Sequence, residues 1–196
     1  MPEGVHVDYP HEYDRHRYAV VKSIAFDPLF ADLVRTLETD SRLKRAYPDE
    51  PSFERAVWGT LYQRCAHHFG EDWPPKILLS SHDSLNLSGR SQAEWDAFLV
   101  AGHADLVIFE AKKRVDLALR HPDGQLIGIE IECLTQAKPA DAFVIGLGQT
   151  LLALGHRQRV ILAAHCGNPT SAQRDELLRI AARISEHPHV RILLVP

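Results

Sequence analysis

The chain has 196 residues, 45% hydrophobic and 24% charged, with a net charge of −4, the balance of a globular protein with one substantial core. That charge excludes a general nucleic-acid coat, whose affinity comes from many phosphate contacts, although a local basic rim is compatible with it. Cys65, Cys133 and Cys166, odd in number and without C-x-x-C spacing, exclude a disulfide framework or a cysteine zinc site and read as packed thiols.

Residues 1–20 form a polar arm with His6, His11 and His16. Their five-residue spacing suits neither one helix face nor one strand face, so an arm that docks on the core or on a partner is expected rather than a metal site. The amino terminus lacks a positive segment followed by an apolar core, and no apolar run approaches about 18 residues. A cytoplasmic protein with no membrane span is the expectation.

Residues 21–100 read as a helical part packed on the core. Asp27-Pro28 predicts a helix capped by Asp27, with Leu29, Phe30, Leu33, Val34 and Leu37 apolar. A second helix is predicted from about Pro51 to Phe69, where Phe53, Val57, Leu61 and Cys65 make a stripe and Glu54 lies beside it. Ile77–Leu79 is a short candidate strand in a stretch rich in breakers, and Ser91-Gln92-Ala93-Glu94 matches a capping box before Trp95, Phe98 and Leu99.

Residues 101–196 carry the alternation of strands and helices expected of an α/β core. Ala104–Ala111 predicts a first core strand from its continuous apolar run, Leu106 to Phe109. Arg114–Glu132 then alternates apolar and polar residues on both sides of His121-Pro122-Asp123-Gly124-Gln125, which is the chemistry of a three-residue hairpin loop. With Pro122–Gly124 as the loop, His121 pairs with Gln125, and Asp116 falls opposite Glu130, with Glu132 along the same face. Pro139–Leu154 predicts a helix with Phe143, Val144, Leu147, Leu151 and Leu154 apolar, and Gly146 and Gly148 mark close packing on the sheet. Val160–Ala164 and Val190–Val195 are predicted strands, and between them Thr170-x-x-Gln173 caps a helix with Leu177, Ile180, Ala181 and Ile184 inward. The whole is a layered α/β domain with a mixed sheet.

Converging carboxylates need compensation, because two like charges about 4 Å apart repel by roughly 1 kcal/mol in water and about 4 kcal/mol at an effective dielectric of 20. A divalent cation supplies it, and carboxylate oxygens with waters are what Mg²⁺ prefers. A solvated sheet face, a retained proton or an arginine partner are the alternatives. The rival frame, Asp105 with Glu110-Ala111-Lys112, leaves no room for a turn between its members.

Asp116, a glycine-turn hairpin, Glu130-Ile131-Glu132, a helix carrying Gly148-Gln149 and a following apolar strand together resemble the core of the PD-(D/E)XK, or restriction-endonuclease-like, nuclease superfamily. The resemblance covers roughly Ala104 to Pro196 and implies a core of αβββαβαβ order. It further implies that Asp116 and Glu130 hold Mg²⁺ or Mn²⁺, that Gln149 is an auxiliary residue, and that Glu54 is the helix glutamate that assists the metal. Glu132 stands where that family usually has lysine, and as a carboxylate it would accept the proton of the attacking water or extend the metal site. Lys112, Lys113, Arg114, Lys138, Arg157 and Arg159 are the candidates for a basic rim. The implied function is metal-dependent hydrolysis of phosphodiester bonds in DNA, by a protein that pairs as a homodimer. The alternative left by the missing lysine is a catalytically silent module that binds nucleic acid or a protein partner.

Overall fold

In the computed structural model, residues 24–81, 105–109, 113–134, 139–167 and 169–196 are described. The hairpin forms in the expected register. Strand β4 (Leu117–Arg120) runs antiparallel to β5 (Leu126–Cys133), with Leu117 facing Ile129, Ala118 facing Gly128, Leu119 facing Ile127 and Arg120 facing Leu126. His121 N–H donates to Gln125 O at 2.8 Å and Gly124 N–H to His121 O at 2.8 Å, and Gly124 takes φ 93°, which an L side chain resists.

Five strands make the main sheet. β1 (Leu78–Ser80) pairs antiparallel with β4, while β6 (Arg159–His165) lies parallel to β5 and β7 (Val190–Val195) parallel to β6. The expected first core strand, Ala104–Ala111, is corrected here. Its described part contributes β2 (Val107–Phe109), which pairs with β3 (Lys113–Arg114) in a separate two-stranded sheet. The edge beside β4 is taken instead by β1, all three of whose residues are buried. Arg114–Arg120 is accordingly two short strands, with Asp116 in the bend between them.

Helix α1 (Phe26–Thr39) and helix α2 (Glu50–Phe69) cover one face of the sheet, and a single turn, α3 (Pro74–Ile77), leads into β1. Leu29, Leu33 and Leu37 of α1 and Phe53, Val57 and Leu61 of α2 share a core with Leu117, Leu119, Ile127, Ile129 and Ile131. Asp49 caps α2 by accepting from Ser52 N–H at 2.9 Å, and Gly70, at φ 97°, ends it. Asp27 does not cap α1: the N-cap is Ala25, without a side-chain bond, and Asp27 lies inside the first turn. Its carboxylate is drawn off by Arg159, whose Nη2 donates to Oδ1 at 2.6 Å.

The other face is covered by α4 (Pro139–Ala153) and α5 (Ser171–Ser185). Phe143 and Leu147 of α4 and Leu177 and Ala181 of α5 pack with Leu162, Ala164 and Ile192. The capping box forms as expected, with Thr170 Oγ1 accepting from Gln173 N–H at 3.3 Å and Gln173 Oε1 accepting from Thr170 N–H at 3.0 Å. Val144 and Leu151, of the apolar set named for this helix, are exposed. Apolar residues surround α4 on all sides, and the sheet takes the face with Phe143, Gly146, Thr150 and Ala153. The result is a layered mixed α/β fold with helices on both sides of a mixed sheet. Among the described residues no helix is long and apolar enough to cross a membrane. The arm of residues 1–20 and the capping box at Ser91 lie outside the described residues.

Candidate functional site

Period two along β5 sends Ile127, Ile129 and Ile131 toward α1 and α2, and Gly128, Glu130 and Glu132 toward α4. Each residue of the second set meets a specific neighbour. Gly128 lies under the Arg157 side chain, where an added Cβ would come 2.5 Å from Cδ. Glu130, 2% exposed, accepts from the Gln149 amide through Oε1. Glu132, half-buried, lies over Gly146, where an added Cβ would come 2.4 Å from its Cγ. Glycine at 146 is thus the close approach that lets α4 seat on the sheet with a glutamate between them. Gly148 has nothing within 4 Å of an added Cβ, so the packing expected of it is absent within the described structure.

The β4–β5 ladder ends at Leu117 and Ile129, one step before Asp116 and Glu130. Two bonds to Asp116 and one to the residue before it fix that end. Its carboxylate Oδ2 accepts from Ile131 N–H at 2.7 Å, its carbonyl accepts from Ser81 N–H at 2.7 Å, and next to it Val115 N–H donates to Leu106 O at 2.9 Å. β1 therefore fixes the backbone of Asp116, and β5 fixes its side chain.

Burial, then the Asp116 and Glu132 charges, push the Glu130 carboxyl up to about 9 from an ordinary 4.5. At neutral pH Glu130 holds a proton. Glu132 is pushed up to about 7, first by burial, then by Glu50 and Asp116. Glu130 Oε2 is buried with no hydrogen-bond partner among the described residues. A buried oxygen without a partner bears the full desolvation cost of its lone pairs, the same cause that raises this carboxyl.

Glu50, in the first turn of α2, has no counterpart in the sequence reading, which selected Glu54 one turn later. Glu54 is buried and accepts from Ser80 Oγ at 3.2 Å, next to the β1 end that holds Asp116. The charge of Glu50 joins that of Asp116 in raising both carboxyls, as a lesser cause at Glu130 and ahead of Asp116 at Glu132. Its signal in the sequence was an acidic residue beside the capping Asp49, which a dipole argument absorbs without remainder.

The rim divides. Arg114 is exposed, Lys113 is described as part of β3, and Lys112 and Lys138 lie outside the described residues. Arg157 is corrected: it is 4% exposed, and its Nη2 donates to the carbonyls of Asp105 and Val107. Burial depresses its pKa, and its Nε and Nη1 have no hydrogen-bond partner among the described residues. The charges of Asp105 and then Glu130 oppose that depression. Arg159 is also withdrawn from the rim, since it joins Asp27, Gln158 O and His189 and lies over Phe26 and Phe30.

A metal fits this cluster by donor chemistry. Hard carboxylate oxygens, one of them orphaned, and mutual repulsion that a cation would cancel are what Mg²⁺ or Mn²⁺ meets. The number of ligands is small: among the described residues no group of three or more His, Cys, Asp or Glu side chains is arranged to hold an ion. A site of one or two carboxylates completed by water is the usual form for Mg²⁺. The fold and the cluster together define a mixed-sheet α/β protein whose central strand carries one buried and one half-buried acid. Compared with family models, curated proteins and solved structures, the chain matches none.

Proposed function

We propose that the chain is a metal-dependent nuclease with a restriction-endonuclease-like core, in which Asp116 and Glu130 hold Mg²⁺ or Mn²⁺. The observation that carries this reading is Glu130, buried on the central strand with an orphaned Oε2 and its proton retained against the charge of Asp116. The strand order supports it as well, because two antiparallel pairings through β1, β4 and β5 are followed by two parallel ones through β6 and β7. If β1 is taken as the first strand in place of Ala104–Ala111, and β2 and β3 are set aside as the separate small sheet, the elements of the main sheet follow one another as αβββαβαβ, which supports the reading.

A bound cation would polarise the scissile phosphate and lower the pKa of a water beside it. The Asp116 carboxylate is held in a set direction by Ile131 N–H. Gln149 orients Glu130 through Oε1 and leaves Oε2 for the ion. Glu132 replaces the usual lysine as a proton acceptor, and a carboxyl poised at about 7 is suited to take a proton near neutrality. Arg114 is the exposed cation nearest in sequence to Asp116 and is assigned to phosphate contact. DNA is the substrate assigned, on the resemblance.

The test is incubation of purified protein with plasmid, linear and single-stranded DNA and with RNA, in Mg²⁺ or Mn²⁺. Asp116→Asn is the control, because the amide oxygen still accepts from Ile131 N–H while the charge is lost. Cleavage by the wild type that falls roughly 100-fold or more in the variant is expected. No cleavage of any substrate by folded wild type, or equal cleavage by the variant, overturns the assignment and leaves the silent binding module.

A further inference from the structure

A line of contacts runs from strand β5 to Asp116 by way of the small sheet. It begins at Gln158, whose N–H donates to Leu126 O at 3.2 Å and whose Oε1 accepts from Leu126 N–H at 2.7 Å. Arg157, one residue earlier, therefore starts from a fixed point. Its side chain crosses Gly128, where a Cβ would collide with it, and its Nη2 donates to the carbonyls of Asp105 and Val107, just before and at the start of β2. Asp105 is held a second time through its carboxylate, which accepts from Arg120 Nε at 2.7 Å and from Arg120 Nη2.

The segment so held leads directly to Asp116. Leu106, between the two carbonyls that Arg157 grips, accepts from Val115 N–H at 2.9 Å, and Val107 pairs with Arg114. Val115 is buried and also rests on Gly128, its Cγ1 lying 3.5 Å from where a Cβ would stand. Gly128 is thus the seat shared by Arg157 and by the residue before Asp116. Glu130 follows two positions later on the same face of β5.

Stability alone is a poor reason for a guanidinium in this place. Arg157 is buried, and its Nε and Nη1 have no hydrogen-bond partner among the described residues. A buried charge with open donors costs more than an apolar side chain filling the same space. What an apolar side chain would not supply is a grip on two carbonyls from a fixed origin.

We propose that Arg157 is a positioning residue for the acid pair, tying the small sheet from which Asp116 emerges to the strand that carries Glu130. Its consequence for metal binding rests on the nuclease reading, whereas its effect on the position of the Asp116 carboxylate does not.

The Ile131 amide donates to Asp116 Oδ2 and so reports that position in the metal-free protein. In Arg157→Met, which removes the charge and the grip on the carbonyls, the Ile131 amide resonance should shift and its hydrogen exchange should quicken about tenfold, with circular dichroism unchanged. Arg157→Lys keeps a charged donor for the carbonyls and should restore most of the protection. Ile192→Ala, a buried loss on β7, controls for general destabilisation and should leave the Ile131 resonance in place. Calorimetric titration with Mn²⁺ reads the consequence, an affinity weaker by about tenfold or more in Arg157→Met. Should that variant not fold, Arg157→Gln, too short to grip both carbonyls, replaces it with the same expectations. An Ile131 amide unchanged in the folded variant overturns the proposal, and so does an equal shift in Ile192→Ala. Equal Mn²⁺ affinity in the variant and in a wild type that binds the ion overturns it too. A shifted amide with a wild type that binds no Mn²⁺ upholds the tie and removes the nuclease reading instead.

Discussion

Replacing Glu130 with glutamine should stabilise the protein in alkali and leave its stability in acid unchanged. The carboxyl is pushed up to about 9 in the folded chain against 4.5 unfolded. Below about pH 4.5 both states hold the proton, and the contribution to stability is fully present. Between pH 4.5 and 9 the unfolded chain releases the proton while the folded chain keeps it, so stability falls as pH rises and is lost through the folded pKa. At about 1.4 kcal/mol per pH unit, the roughly three units up to pH 7.5 set a ceiling of about 4 kcal/mol. Protein polarisability and water near the half-buried Glu132 reduce this, and about 2 kcal/mol is a working value. Glutamine is neutral throughout, keeps the shape, and still accepts from Gln149 through Oε1. For a chain of this length 2 kcal/mol is roughly 4–8 °C in melting temperature. Thermal unfolding of both proteins in buffers near pH 4.5 and pH 8.5, without divalent metal, is the assay. An equal difference at the two pH values, or a variant less stable in alkali, would refute the reasoning. Mg²⁺ added near pH 8.5 should raise the wild type and not the variant, because a cation replaces the proton on the wild-type carboxylate alone.

Two glycines on this side of the sheet make further predictions. Gly128→Ala should destabilise by about 2–3 kcal/mol in urea unfolding, since its Cβ would meet Arg157, which is buried and held by two carbonyls. A loss under 0.5 kcal/mol would mean that Arg157 can move aside. Gly146→Ala should cost about 1–2 kcal/mol in the wild type but stabilise by up to about 1 kcal/mol in a Glu132→Ala background, where the clash with Glu132 is gone and alanine is the better helix former. A double-mutant cycle without coupling would remove the Glu132–Gly146 contact from the account.

Short-range chemistry was legible in the chain. The loop Pro122–Gly124, the pairing of His121 with Gln125 and hence the whole β4–β5 register follow from residues within a few positions of one another. The capping box at Thr170 and Gln173 and the ends of α2 follow for the same reason, because a cap or a turn satisfies backbone groups of its own segment. From the register alone Asp116, Glu130 and Glu132 belong to one face, and the order of helices and strands yields a mixed sheet.

Tertiary structure decided whatever depended on competition between distant segments of similar quality. Leu78–Ser80 and Val107–Phe109 are both short apolar runs able to flank β4, and the edge went to the first. Arg157 and Arg159 read alike in sequence, yet one is drawn over Gly128 to two carbonyls and the other to Asp27, 132 residues away. Glu50 acts on the acids of β5 through its charge, while Glu54, one turn later, accepts from Ser80 at the end of β1, a division of roles between two acids of one helix that only the packing decides. Periodicity fixes the face on which a side chain stands, since it depends on backbone angles local to each residue. What stands opposite that face depends on which of several comparable partners packs best, and that is settled when the whole core closes.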